Sequence, residues 1–271
     1  MHPVRTYRAT LQYDGTDFSG WQVQPGRRTV QGVVEEALAG LVGGRVPVLA
    51  AGRTDAGVHA EGQVISFRAG TSIPPEGLAA ALNARLPEDV SVLDLAEAPE
   101  GFHATCHAKG KVYRYEILTG RAPRPLLRRT TLRVPGRLDL RRMREAARLL
   151  VGRRDFRSFR TNPGLPADRG STVRTIRRLE VRRRGERVVV EVEGDGFLYN
   201  MVRSIVGTLV QVGRGTWPPG RVGEALRARD RRAAGPTAPP RGLTLVSVEY
   251  GPAALRRGRS RKIATGRLRR S

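Results

Sequence analysis

The order of the periodic segments constrains this chain most. Tyr7, Ala9, Leu11 and Tyr13 alternate with Arg8, Thr10 and Gln12, which predicts a strand with one buried face. Thr29 reads as a helix N-cap. Val30, Val33, Val34, Ala37, Leu38 and Leu41 then recur at helical spacing until Gly43-Gly44 stops them. Val46–Ala51 and Gln63–Phe67 read as strands, and Pro74-Pro75 opens a second helix running to Leu86. Val90–Leu95 closes the series as a strand. Strand, helix, strand, strand, helix, strand is the ferredoxin-like split unit. It predicts an antiparallel sheet with both helices on one face and the other face open to a ligand.

The second half mixes the same ingredients. Lys111–Leu118 alternates as a strand, with Lys111, Tyr113, Tyr115 and Ile117 on one side. Asp139 caps a helix ended by Gly152, and Arg141, Arg142, Arg144 and Arg148 lie on its outer face. Val173–Val181 and Arg187–Glu193 read as a hairpin across Gly185. A helix is expected from near Phe197, another over Arg221–Arg229, and a last strand over Leu243–Tyr250. Asn162–Ser171, with two prolines and two glycines, reads as a loop. The expected fold class is α+β, with two ferredoxin-like (RRM-like) domains whose antiparallel sheets form a central basic cleft. Residues 1–108 form one domain, 109–250 the second, and 251–271 a basic disordered tail.

Charge narrows the partners. The chain has 49 Lys and Arg against 25 Asp and Glu, a formal net charge of +24. The tail holds eight basic residues and no acid, so +16 remains on the body once those eight are set aside. Such a field attracts polyanions, RNA or DNA first. The longest charge-free apolar stretch, Ser204–Gly213, falls short of the ~20 residues that a spanning helix needs. The N-terminus lacks a signal-peptide pattern, and Cys106 is the only cysteine. A soluble cytoplasmic protein without membrane attachment is expected.

The chemistry centres on Gly52-Arg53-Thr54-Asp55-Ala56-Gly57-Val58-His59, which is neither helical nor alternating. Two glycines bracketing an arginine and a carboxylate between rigid flanks suit a reactive loop. Taken alone, the same stretch is a tight turn with a solvated aspartate. Burial raises a carboxyl pKa, so a buried Asp55 needs a fixed cation to reverse the shift. Arg203, a charge inside an otherwise apolar helix, is the candidate partner; the alternative is that it sits on that helix's wet side. Tyr113 could stack on a base or fill the core, and Arg53 could enter a helix stack or bind phosphate. His103, Cys106 and His107 cluster without the paired spacing of a metal site.

These residues together resemble the bacterial tRNA pseudouridine synthase A family. The resemblance rests on Tyr13-Asp14-Gly15-Thr16 with Phe18 and Gly20-Trp21-Gln22, and on the Asp55 motif. It continues through Phe102-His103-Ala104, Lys111-Val112-Tyr113-Arg114-Tyr115, Asp155-Phe156, Ser158-Phe159 and Met201-Val202-Arg203, and spans about Arg5 to Tyr250. It implies the pseudouridine synthase fold, a homodimer, and uridines 38, 39 and 40 of the tRNA anticodon arm as substrate. Asp55 matches the nucleophile and Arg203 the partner that keeps it ionised. Tyr113 matches the tyrosine that stacks on the base and helps remove the C5 proton. Arg53 matches the residue that holds the flipped nucleotide, and His59 falls with the substrate-binding residues. No cofactor or metal is implied. A non-catalytic RNA-binding protein, or a synthase acting at other RNA positions, fits charge and composition equally.

Overall fold

The computed structural model describes residues 2–161 and 170–255. Most of the expected Asn162–Ser171 loop and the tail from residue 256 lie outside the described residues. The first unit runs β1 (Val4–Tyr13), α1 (Val30–Val42), β2 (Leu49–Ala50), β3 (His59–Gly70), α2 (Pro75–Asn83) and β4 (Val90–Glu97). β1 pairs antiparallel with β3 and β4, and β2 pairs antiparallel with β3, giving the order β4-β1-β3-β2 of the split unit. Thr29 caps α1 by accepting from the Gly32 amide, and Gly43 ends it in the left-handed conformation.

β2 is two residues long where the apolar run predicts six. Side chains of α1 take the ladder's place: the Val48 amide donates to Glu35 Oε1 (3.0 Å), and Gln31 Nε2 donates to the Val48 carbonyl (3.3 Å). α2 likewise stops at Asn83, short of Leu86. The Asn83 amide bonds both the N–H and the C=O of Val92, at 2.7 and 2.9 Å, pinning the helix end to β4.

The second half contains β5 (Ala108–Leu118), β6 (Leu132–Arg133), α3 (Leu140–Arg148), β7 (Gly152–Asp155), β8 (Val173–Arg184) and β9 (Arg187–Gly194). It continues with α4 (Met201–Gly213), α5 (Arg221–Ala228), β10 (Leu243–Tyr250) and a four-residue α6 (Pro252–Leu255). The tail expected to be disordered therefore begins with a short helix. The short strands β6 and β7 carry no periodic signal. α3 packs on α4, α5 and β8.

The two expected sheets are one. Its order is β4-β1-β3-β10-β5-β9-β8-β7, with β2 and β6 on side branches. β10 makes the seam: it runs antiparallel to β5 and parallel to β3 through Thr244–His59 and Leu245–Ala60. The fold is α+β with a mostly antiparallel sheet. The seam brings the Asp55 loop, which precedes β3, beside β5, which carries Tyr113. Tyr115, two residues on, is fully buried, and its hydroxyl donates to the Pro239 carbonyl at 2.7 Å.

Candidate active site

Two loops build the floor of the site. The Gly52–Val58 loop joins β2 to β3, and the 14–22 segment leaving β1 folds over it. The Trp21 amide donates to the Thr54 carbonyl (3.0 Å), and the Tyr13 hydroxyl and Thr54 Oγ1 are 2.8 Å apart. Gln63 Nε2 donates to the Gly52 carbonyl at 2.7 Å. Gly20 permits the approach: its φ is +92°, and a Cβ there would lie 2.9 Å from the Thr54 carbonyl oxygen. Asp55 is thus held by its neighbours' backbone while its own carboxylate faces α4.

Arg203, in the first turn of α4, meets it. Nη1 donates to Asp55 Oδ2 at 3.0 Å and to Asn200 Oδ1 at 2.6 Å, while Nε donates to the Ala238 carbonyl at 2.8 Å. The Arg203 side chain is 15% exposed, which removes the wet-side alternative. Burial pushes the Asp55 carboxyl above its ordinary range, and the Arg203 guanidinium pulls it back. The net direction stays upward, so the expected reversal is only partial. The site holds a carboxylate poised nearer neutrality than a surface aspartate.

The pair borders a cavity of 1140 Å³ whose walls include Trp21, Arg53, Lys111, Tyr113 and Tyr199. Arg53 is exposed on this wall. Tyr113 is buried, edge-on to Phe197 with ring centres 5.1 Å apart and planes at 87°. Burial, with smaller effects from Tyr13 and Asp55, pushes its phenol well up, so it is neutral at physiological pH. His59 is elsewhere. It is 5% exposed, its Nδ1 accepts the Gly15 amide (3.1 Å), and its Nε2 lies 2.8 Å from the Arg129 carbonyl. It borders a separate 350 Å³ cavity with Asp14 and Glu61. These contacts tie the loops together and do not face the Asp55 cavity. The ring nitrogens of His103 and His107 accept local backbone amides.

The family model described as tRNA pseudouridine synthase matches residues 9–105 and 146–251. The chain belongs to the tRNA pseudouridine synthase family. Among its relatives, tRNA pseudouridine synthase A of Geobacter sulfurreducens is 47% identical over 247 residues, covering 91% of this chain and all of the relative. The Anaplasma marginale protein of the same name is 48% identical over 248 residues, covering 90% and 99%. That of Bacillus pumilus is 46% identical over 245 residues, covering 90% and 98%.

In this synthase, two features of α4 escaped sequence reasoning. The helix starts at Met201 rather than Phe197 because Asn200 takes the left-handed conformation, with φ at 58°. Phe197, Leu198 and Tyr199 are thereby released to line the cavity, and Tyr199 is 48% exposed. The Asn200 amide also ties Arg203 to the Thr161 hydroxyl (2.6 Å). Asn200→Gly keeps the backbone but removes the tether. We expect stability within ~1 kcal/mol of wild type and a roughly tenfold lower turnover, read by thermal unfolding and steady-state kinetics. A Cβ at Gly207 would sit 1.7 Å from the Pro236 carbonyl oxygen, so only glycine lets the 236–238 segment lie on α4 and reach Arg203. Gly207→Ala should destabilise the fold by ~3 kcal/mol or lift that segment away. Denaturant unfolding, together with activity, checks this.

Proposed function

We propose that this synthase isomerises uridine to pseudouridine at positions 38, 39 and 40 of the tRNA anticodon arm, with Asp55 as nucleophile. The observation that carries the reading is a largely buried carboxylate, paired with Arg203 at 3.0 Å, bordering a cavity large enough for a nucleotide. In a non-catalytic RNA-binding protein, a desolvated carboxylate in a basic wall would only weaken binding.

The +24 charge attracts tRNA. Extruding the target base costs a few kcal/mol, and Arg53, exposed on the cavity wall, is suited to occupy the vacated stack. Tyr113 stacks on the extruded uracil. Asp55 attacks either C1′ of the ribose or C6 of the ring, and the bond it makes is broken again to regenerate the carboxylate, by C5 displacing it from C1′ or by its elimination from C6. The N1–C1′ bond breaks, the base turns, and a C5–C1′ bond forms. C5 loses its proton to solvent and N1 gains one, so atoms and electrons balance without any redox partner. The C4 carbonyl acidifies the C5–H of the rejoined base, so water can accept that proton, with the neutral Tyr113 phenol orienting the base.

The same reading takes the enzyme as a cytoplasmic homodimer with domains over 1–108 and 109–250. No helix among the described residues is long and apolar enough to cross a membrane. Mapping pseudouridine in tRNA from a strain lacking the gene tests the assignment. Positions 38, 39 and 40 should lose the modification and regain it on complementation. Loss at other positions instead would reject these target sites.

A further inference from the structure

Lys111 lies on β5 two residues before Tyr113, on the same strand face, and lines the Asp55 cavity. Its ammonium crosses Gly52 so closely that a Cβ there would lie 2.7 Å from Nζ. Glycine at that position therefore makes room for the lysine as well as for the turn. Burial, and behind it the charge of Arg174, pulls the Lys111 pKa down. Among the described residues no carboxylate offsets either effect. Among the described residues Asp55, the acid on this cavity's wall, is engaged by Arg203. Other cations of the sheet have acids beside them: Arg114 has Glu61 and Glu116, and Arg178 has Glu180, Glu191 and Glu193. A partly desolvated ammonium without a counter-charge carries a cost, and an anion arriving with a ligand would relieve it.

Resting on the function proposed above, we propose that Lys111 holds an anionic oxygen of the target nucleotide. Two sources carry that chemistry. One is the phosphodiester beside the extruded uridine. The other is the uracil ring during the reaction. If Asp55 attacks C1′, the electron pair of the N1–C1′ bond leaves with the base and spreads onto O2 and O4. If it attacks C6, electron density moves to O4. Either way a ring oxygen becomes negative, and the charge is discharged when C5 rejoins C1′. A preorganised ammonium stabilises such an oxygen by hydrogen bonding, without transferring its proton.

The test uses full-length Lys111→Met and Lys111→Gln with substrate tRNA. Thermal unfolding, affinity across a salt series and single-turnover pseudouridine formation are measured. Removing a half-buried cation that has no carboxylate partner should leave Tm unchanged or raise it. A roughly 100-fold slower single turnover at unchanged affinity assigns the uracil oxygen. A roughly tenfold weaker affinity, with the salt slope shallower by about one, assigns the phosphate. Rate and affinity within twofold of wild type, or unfolding of both variants, overturn the proposal and make Lys111 a packing residue. A wild-type enzyme that forms no pseudouridine would instead refute the parent reading.

Discussion

Asp55→Asn should lower pseudouridine formation by ~10⁴-fold or more while tRNA affinity stays within about twofold or tightens. The amide matches the carboxylate in shape and can still accept from Arg203, so the loops around it have no cause to move. It cannot act as a nucleophile. Binding is spared because the change removes a negative charge from a strongly positive chain. Gel-shift or fluorescence binding beside a product assay separates the two quantities, and a binding loss that parallels the activity loss would place Asp55 in tRNA recognition.

Arg203→Met should give the second-largest effect. Breaking a buried ion pair costs ~3–5 kcal/mol, and the partial exposure of both side chains reduces that to ~2–3 kcal/mol here. Separately, less Asp55 is ionised once its cation is gone, so the rate at neutral pH should fall by roughly 10–100-fold. Its pH signature is distinctive. Activity needs ionised Asp55, so the rate rises with pH through the Asp55 pKa. Burial has already raised that pKa, and Arg203 is the group opposing the rise. Without it the acid limb of the rate profile moves to higher pH, and part of the lost rate returns in alkaline buffer. A uniform loss at every pH would mean that Arg203 acts on substrate rather than on Asp55.

Local signals were legible where a single segment carries them. The alternation of β1, the Thr29 and Asp139 caps and the Gly185 hairpin need only neighbours in sequence. Arg203 was readable because a guanidinium in an apolar helix demands a partner. What could not be read depends on distant pairings. β2 is short because Gln31 and Glu35 occupy the backbone of Val48. β10 joins the two halves through register contacts between residues far apart in sequence, Thr244 with His59 and Leu245 with Ala60. α4 starts late because asparagine, tolerant of positive φ, breaks the turn at position 200. His59 carries the same motif signal whether it meets substrate or backbone carbonyls, and no spacing reveals that its ring is buried against the Arg129 carbonyl. Lys111 was visible only as one member of a strand face, since nothing in the spacing reveals that it lacks an acid partner.

The central claim is that Asp55, kept reactive beside Arg203, drives exchange of the N1–C1′ bond for C5–C1′. Tritium release from tRNA labelled at uracil C5 reads that exchange directly. Wild type should release one tritium per pseudouridine formed, and Asp55→Asn should release none above background. Tritium retained during wild-type turnover, or released at the wild-type rate by Asp55→Asn, would contradict the account.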